Sequence, residues 1–164
     1  MDIEQTSTIN SPAHGRDLRK GRVSIENNIY LVTILTQGRR LLFKRLECGR
    51  VVVCSLQYAE KSGFASTLAY VVMPDHLHWL MSLENQASLS DVVGRIKRNT
   101  SRQINRELGC TGVSAWQRGF HDHALRSEED VRDVARYIVA NPLRAGLVRR
   151  VGDYSLWDAV FVNN

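Results

Sequence analysis

Ala69-Tyr70-Val71-Val72-Met73-Pro74-Asp75-His76-Leu77-His78-Trp79-Leu80-Met81 is the most apolar run of this chain, yet it carries two of the five histidines. Pro74-Asp75 interrupts the run and predicts a tight connection between two strands, Phe64 to Val72 and His76 to Leu83. The two strands are expected to pair as an antiparallel hairpin, with the histidines just after the turn. Successive side chains of a strand point to opposite faces, so His76 and His78 share one face and Leu77 points to the other. Two imidazoles side by side on a rigid strand are a natural pair of metal ligands. On spacing alone, one buried and one surface histidine is the commoner reading.

Upstream, Asn28 to Thr36 is apolar and β-branched and reads as a central strand. Gln37 to Arg45 reads as a loop with an apolar patch at Leu41, Leu42 and Phe43. From Glu47 to Lys61, Val52, Val53, Leu56 and Ala59 fit helical spacing, with Ser62-Gly63 as the stop; Val51 to Val53 alone would suit a strand. Residues 1–15 read as a disordered terminus and Arg16 to Arg22 as a basic arm, either a phosphate-binding segment or a solvated tail.

Downstream, Ser88 and Asp91 are spaced as a capping box and open a helix. Its buried stripe is Leu89, Val92, Val93, Ile96, Ile104 and Leu108. Arg95, Arg98, Arg102 and Arg106 recur at three- and four-residue steps and form one basic ridge. Trp116 to Leu125 reads as a fourth strand containing a second His-x-His pair, His121 and His123. Ser127 to Asp130 is a helix start with Ser127 as the cap. Val131, Val134, Ala135 and Ile138 form that helix's buried face. Tyr137 and Asn141 stack four apart on its flank, in the last turn before Pro142. Tyr154, Trp157 and Phe161 make an aromatic tail suited to covering an apolar patch. The element order β-α-β-β-α-β-α predicts an α+β, ferredoxin-like split βαβ fold: a four-stranded antiparallel sheet with helices on one face. Residues 16–164 are expected to form one domain, with a C-terminal tail from about 143.

The chain has 164 residues, enough for a substantial core. No run approaches the roughly 20 apolar residues of a membrane span, and Met1 to Lys20 has no apolar leader, so a cytoplasmic protein without a membrane partner is expected. Cys48, Cys54 and Cys110 are scattered and support neither a disulfide framework nor a structural zinc site. Net charge is +5, and 18 of the 22 basic residues are arginine. Residues 1–50 carry nine basic residues against five acidic, and residues 91–150 carry 12 against seven. Arginine forks bind phosphate at two points, so two basic segments flanking the histidine strand suggest a nucleic-acid partner.

These features combine into a chemistry. Asn141 could add an amide oxygen to the two imidazoles if the last helix lies beneath the histidine strand. A mixed nitrogen and oxygen site suits Mg²⁺ or Mn²⁺ better than zinc. Such an ion would polarise a phosphodiester, and Tyr137, one turn from Asn141, would lie close enough to attack it.

The chain resembles the REP-associated tyrosine transposases, single-tyrosine members of the HUH endonucleases related to insertion-sequence transposases. The residues carrying the likeness are Val72 to Leu80, Trp116 to Arg126 and Tyr137 to Val148. Arg19 to Arg22 and Tyr154 to Asp158 also fit. The resemblance implies that His76 and His78 are metal ligands, Tyr137 is the nucleophile, and Asn141 stands where relatives supply a third, amide ligand. It implies cleavage and rejoining of single-stranded DNA at REP-type palindromic hairpins through a 5′-phosphotyrosine, in a nucleoid-associated setting. Arg16, Arg19, Lys20, Arg22, Arg95, Arg98, Arg102 and Arg106 would bind that DNA, with His121 and His123 as further candidates for a DNA or phosphate contact. Asp122 between the latter two departs from the HUH pattern. A monomer is expected for this branch, a dimer being the alternative. Two other functions stay open: a non-catalytic hairpin-binding protein, and an RNA-binding module of the same topology.

Overall fold

The computed structural model describes residues 28–85, 87–126 and 129–161. The expected Arg16, Arg19, Lys20 and Arg22 arm and the expected Ser127 cap lie outside them.

The hairpin forms where the Pro74-Asp75 break places it. Strand β2 (Ala65–Met73) pairs antiparallel with β3 (His76–Leu83), bringing Met73 opposite His76 and Val71 opposite His78. Strand β1 (Ile29–Leu35) lies on the other side of β3, with Thr33 opposite His78. The histidine strand is thus central, fixed by ladders on both edges. The full order is β4-β1-β3-β2-β5, with β4 at His121–Ala124 and β5 at Trp157–Ala159.

Helix α1 (Leu46–Lys61) ends as expected: Gly63 adopts φ +68°, a left-handed conformation that suits glycine. Helix α2 (Leu89–Glu107) begins at a true cap, with the Ser88 hydroxyl accepting from the Asp91 backbone N–H at 3.0 Å. Both helices bury their apolar stripes against Val32, Ile34, Leu77, Trp79 and Met81 on one face of the sheet. Helix α3 (Val131–Val139) lies on the opposite face, where Ala135, Ile138 and Val139 pack on Ala69, Val71, Met73 and Leu80. A short helix α4 (Asn141–Arg144) follows it.

The α+β, antiparallel-sheet fold agrees with the sequence reading, with four differences. The sheet has a fifth strand, because the aromatic tail pairs with β2 instead of lying over it: Trp157 sits opposite Val71, and the Tyr154 hydroxyl donates to the Val72 carbonyl at 2.6 Å. Leu156 enters the core against Gly49 of α1, where a Cβ would overlap it. Second, the helices occupy both faces, because α3 presents its apolar side to the surface that α1 and α2 leave uncovered. Third, β4 is short. Trp116 makes only an isolated bridge to Thr36, and its indole N–H turns inward to the buried Thr100 hydroxyl at 2.7 Å. Fourth, α3 starts at Val131 on an Asp130 cap, whose carboxylate accepts from the Arg132 N–H at 2.7 Å.

Candidate active site on the histidine face

Alternation along β3 sends Leu77 and Trp79 into the core under α1 and α2 and turns His76 and His78 to the face that α3 shares. The two rings meet edge to face, with centroids 4.8 Å apart. Each is held by one nitrogen. His76 donates its Nδ1 proton to Asp75 at 2.6 Å, and Asp75 is itself braced by Arg39 at 2.9 Å. His78 Nδ1 shares a 2.8 Å hydrogen bond with the Thr33 hydroxyl, its cross-strand neighbour. Both Nε2 atoms are therefore the ones left to bind. Nδ1 held by a carboxylate or hydroxyl, with Nε2 free, is how protein histidines are oriented towards metal ions.

The electrostatics agree. The pKa of His78 is lowered to about 4, first by burial, then by the neighbouring His76 and by the positive charge of Arg144. The imidazole stays neutral at ordinary pH, the form that coordinates a cation. No group of three or more His, Cys, Asp or Glu suited to a metal occurs among the described residues, so an all-imidazole and carboxylate cage is not built. The pair fits an ion that completes its shell with amide, water and phosphate oxygens.

Helix α3 brings Tyr137 to this face. It docks on Val71 and Met73, the cross-strand partners of His78 and His76. Tyr137 stands on the outer side of the helix, 62% exposed, and the Arg144 guanidinium lies 4.0 Å from the centre of its ring. Asn141 does not lie in the last turn of α3. A break at Ala140 makes it the first residue of α4, with Pro142 next, a position that needs no intrahelical N–H. Its Nδ2 donates to the Ile138 carbonyl at 2.8 Å, so the amide oxygen Oδ1 takes no part in that bond.

His121 and His123 share this face as well. Thr33 lies between His78 on one side and His121 on the other, so the two His-x-His pairs are two strands apart, about 10 Å. Both are exposed, and His123 Nε2 meets the Glu129 carboxylate at 2.9 Å. Arg95, Arg98, Arg102 and Arg106 are not brought to this face. They are exposed on α2, on the far side of the sheet, where Arg95 also stacks over Phe64 at 4.9 Å.

Sequence reasoning missed Asp75, Arg39, Thr33 and Arg144. Asp75 is legible in retrospect as a carboxylate next to a candidate ligand. Thr33 is the polar residue of an otherwise apolar strand. Nothing local marks Arg39 or Arg144.

The fold and site geometry can be set beside known proteins. A structure described as a REP-associated tyrosine transposase bound to a REP hairpin superposes with a TM-score of 0.65 over 83% of this chain and 79% of that one, at 24% identity, which is a likeness of fold. A Haemophilus influenzae protein named "Putative REP-associated tyrosine transposase" is 28% identical over 148 residues, covering 85% of this chain and 80% of the relative. The Escherichia coli K12 REP-associated tyrosine transposase is 31% identical over 86 residues, covering 52% of this chain and 49% of its own. The family model for IS200-like transposases matches residues 24–141, a span that holds both histidine pairs and ends at Asn141. With that match over most of its length, the chain belongs to the IS200-like transposase family.

Proposed function

We propose that this transposase-family chain cleaves and rejoins single-stranded DNA beside REP-type hairpins through a 5′-phosphotyrosine, with Mg²⁺ or Mn²⁺ held by His76, His78 and Asn141. One observation carries the reading: the helix bearing Tyr137 docks on the strand neighbours of both histidines. The names of the relatives, and the hairpin bound by the solved one, support the substrate class.

The bound ion would supply Lewis-acid polarisation of the scissile phosphate. The protein's own groups do the rest. Asp75 and Thr33 each hold one imidazole by its Nδ1 and leave its Nε2 available. Tyr137 Oη attacks phosphorus, the P–O3′ bond breaks, and the departing 3′ oxygen takes up the proton that the phenol gives up. The resulting 3′-OH is free to attack the tyrosyl link and restore a phosphodiester, so no external energy source is needed. Since α3 docks beside the histidines of its own chain, one chain carries both halves of the site, which favours a monomer. The exposed ridge on α2 takes the hairpin stem by phosphate contacts, on the far side of the sheet from the cut strand.

The test is incubation with an end-labelled hairpin oligonucleotide, with and without Mg²⁺ or Mn²⁺. A metal-dependent covalent adduct, lost in Tyr137→Phe, is expected. Tight hairpin binding with no adduct under either metal would instead make this a non-catalytic hairpin-binding protein.

A further inference from the structure

The Arg144 guanidinium carbon lies 4.0 Å from the centre of the Tyr137 ring, and among the described residues no carboxylate pairs with it. It stands on α4, which packs against β2 beside the histidine strand. Tyr137, Asn141 and Arg144 follow at steps of four and three across the Ala140 break, where α3 and α4 are in contact. A guanidinium stacked on an aromatic face spends none of its N–H groups on the contact, because all five lie in its own plane. The fork is therefore held beside the ring, without a carboxylate partner among the described residues, and is still able to donate two parallel hydrogen bonds to a phosphate.

We propose that Arg144 is the phosphate-binding arginine of this site, held in place by stacking on Tyr137. The inference rests on the proposed role of Tyr137. It adds a positive charge beside the nucleophile, on the same face as the histidine pair. The guanidinium accepts no proton and leaves the bond changes as written above. It binds the non-bridging oxygens as Tyr137 Oη closes on phosphorus, and its contact with the exposed ring limits the ring's motion.

Single-turnover adduct formation at saturating hairpin DNA separates the possibilities, comparing wild type with Arg144→Gln, Arg144→Lys and Tyr137→Phe. Arg144→Gln should slow the adduct step about 100- to 1,000-fold, the range of removing one donor to developing charge. The denaturation midpoint should stay unchanged, because the residue is exposed, and any loss of hairpin affinity should be smaller than the loss of rate. Arg144→Lys, which keeps the charge but not the flat fork, should fall between. A wild-type rate in Arg144→Gln, or equal losses of rate, affinity and midpoint, would overturn the role of Arg144 while leaving Tyr137 as nucleophile. Absence of any adduct in the wild type would overturn both together.

Discussion

Two His-x-His pairs sit on one face of one sheet, with the same spacing and only two strands apart, and they are chemically unlike. His76 and His78 occupy an inner strand. They lie edge to face, with Nδ1 atoms committed to Asp75 and Thr33, and burial keeps His78 neutral. His121 and His123 occupy an edge strand in the open, and the pairing of His123 with Glu129 uses Nε2, the nitrogen a metal would otherwise take. The same spacing therefore gives two different environments: dehydration and a fixed partner on Nδ1 mark the inner pair alone.

Breaking the inner pair should have the largest effect. His78→Ala or His76→Ala is expected to reduce metal-dependent adduct formation about 1,000-fold or more, beyond the usual cost of losing only a ligand's support. His121→Ala and His123→Ala should stay within about threefold, with any change falling on DNA affinity. Equal losses at all four positions, read on the same labelled hairpin, would mean that the open pair shares in the chemistry.

The supports come next. Asp75→Asn leaves His76 without its charged acceptor and Arg39 without its partner, and Thr33→Val removes the hydroxyl at His78. Each should weaken Mn²⁺ binding about 10- to 100-fold by calorimetry while both imidazoles remain. Unchanged affinity in both variants would show that the strand backbone alone sets the rings.

Acid should expose the same contrast in the metal-free protein. His78 is held at about 4 in the fold, below the ordinary 6.5 of an imidazole, chiefly by burial. Between these values the unfolded chain binds a proton that the folded chain refuses. The stabilisation from His78 is therefore complete above about pH 6.5, is lost as pH falls towards 4, and changes little below that. The full window is worth on the order of 3 kcal/mol. Denaturant titrations from pH 7 to 4 should show this decline, and His78→Gln should flatten it; His121→Gln should leave it in place. An unaltered slope in His78→Gln would place the decline elsewhere.

Much of this was legible from local pattern. The Pro74-Asp75 break, the alternation around Leu77 and the Ser88 cap each act within a few residues, and each element formed where that pattern put it. The placement of α3 was not legible, because an amphipathic stripe says that a helix must bury one side but not which face of a sheet is vacant. The tail's conversion into β5 depended on a free edge of β2, a property of the assembled sheet. Asp75 and Thr33 were hidden in different ways. Asp75 reads first as a turn residue, and the tie of Thr33 to His78 exists only through strand register, across 45 residues.

The smallest effect should come from the outer pair's own carboxylate. Glu129 is held below the ordinary carboxylate range, first by the Arg126 backbone N–H and then by His123, and it stays partly open to water. Glu129→Gln should leave the denaturation midpoint within about 1 °C and the adduct rate within about twofold, because water screens an exposed pair. The two histidine–carboxylate contacts differ little in length, 2.6 Å at Asp75 and 2.9 Å at Glu129. Asp75 orients a half-buried ring whose free nitrogen faces the site, whereas Glu129 caps the nitrogen that would have to bind. A loss at Glu129 as large as that at Asp75 would mean that the edge strand's geometry, and not the inner strand's ligands, sets the rate.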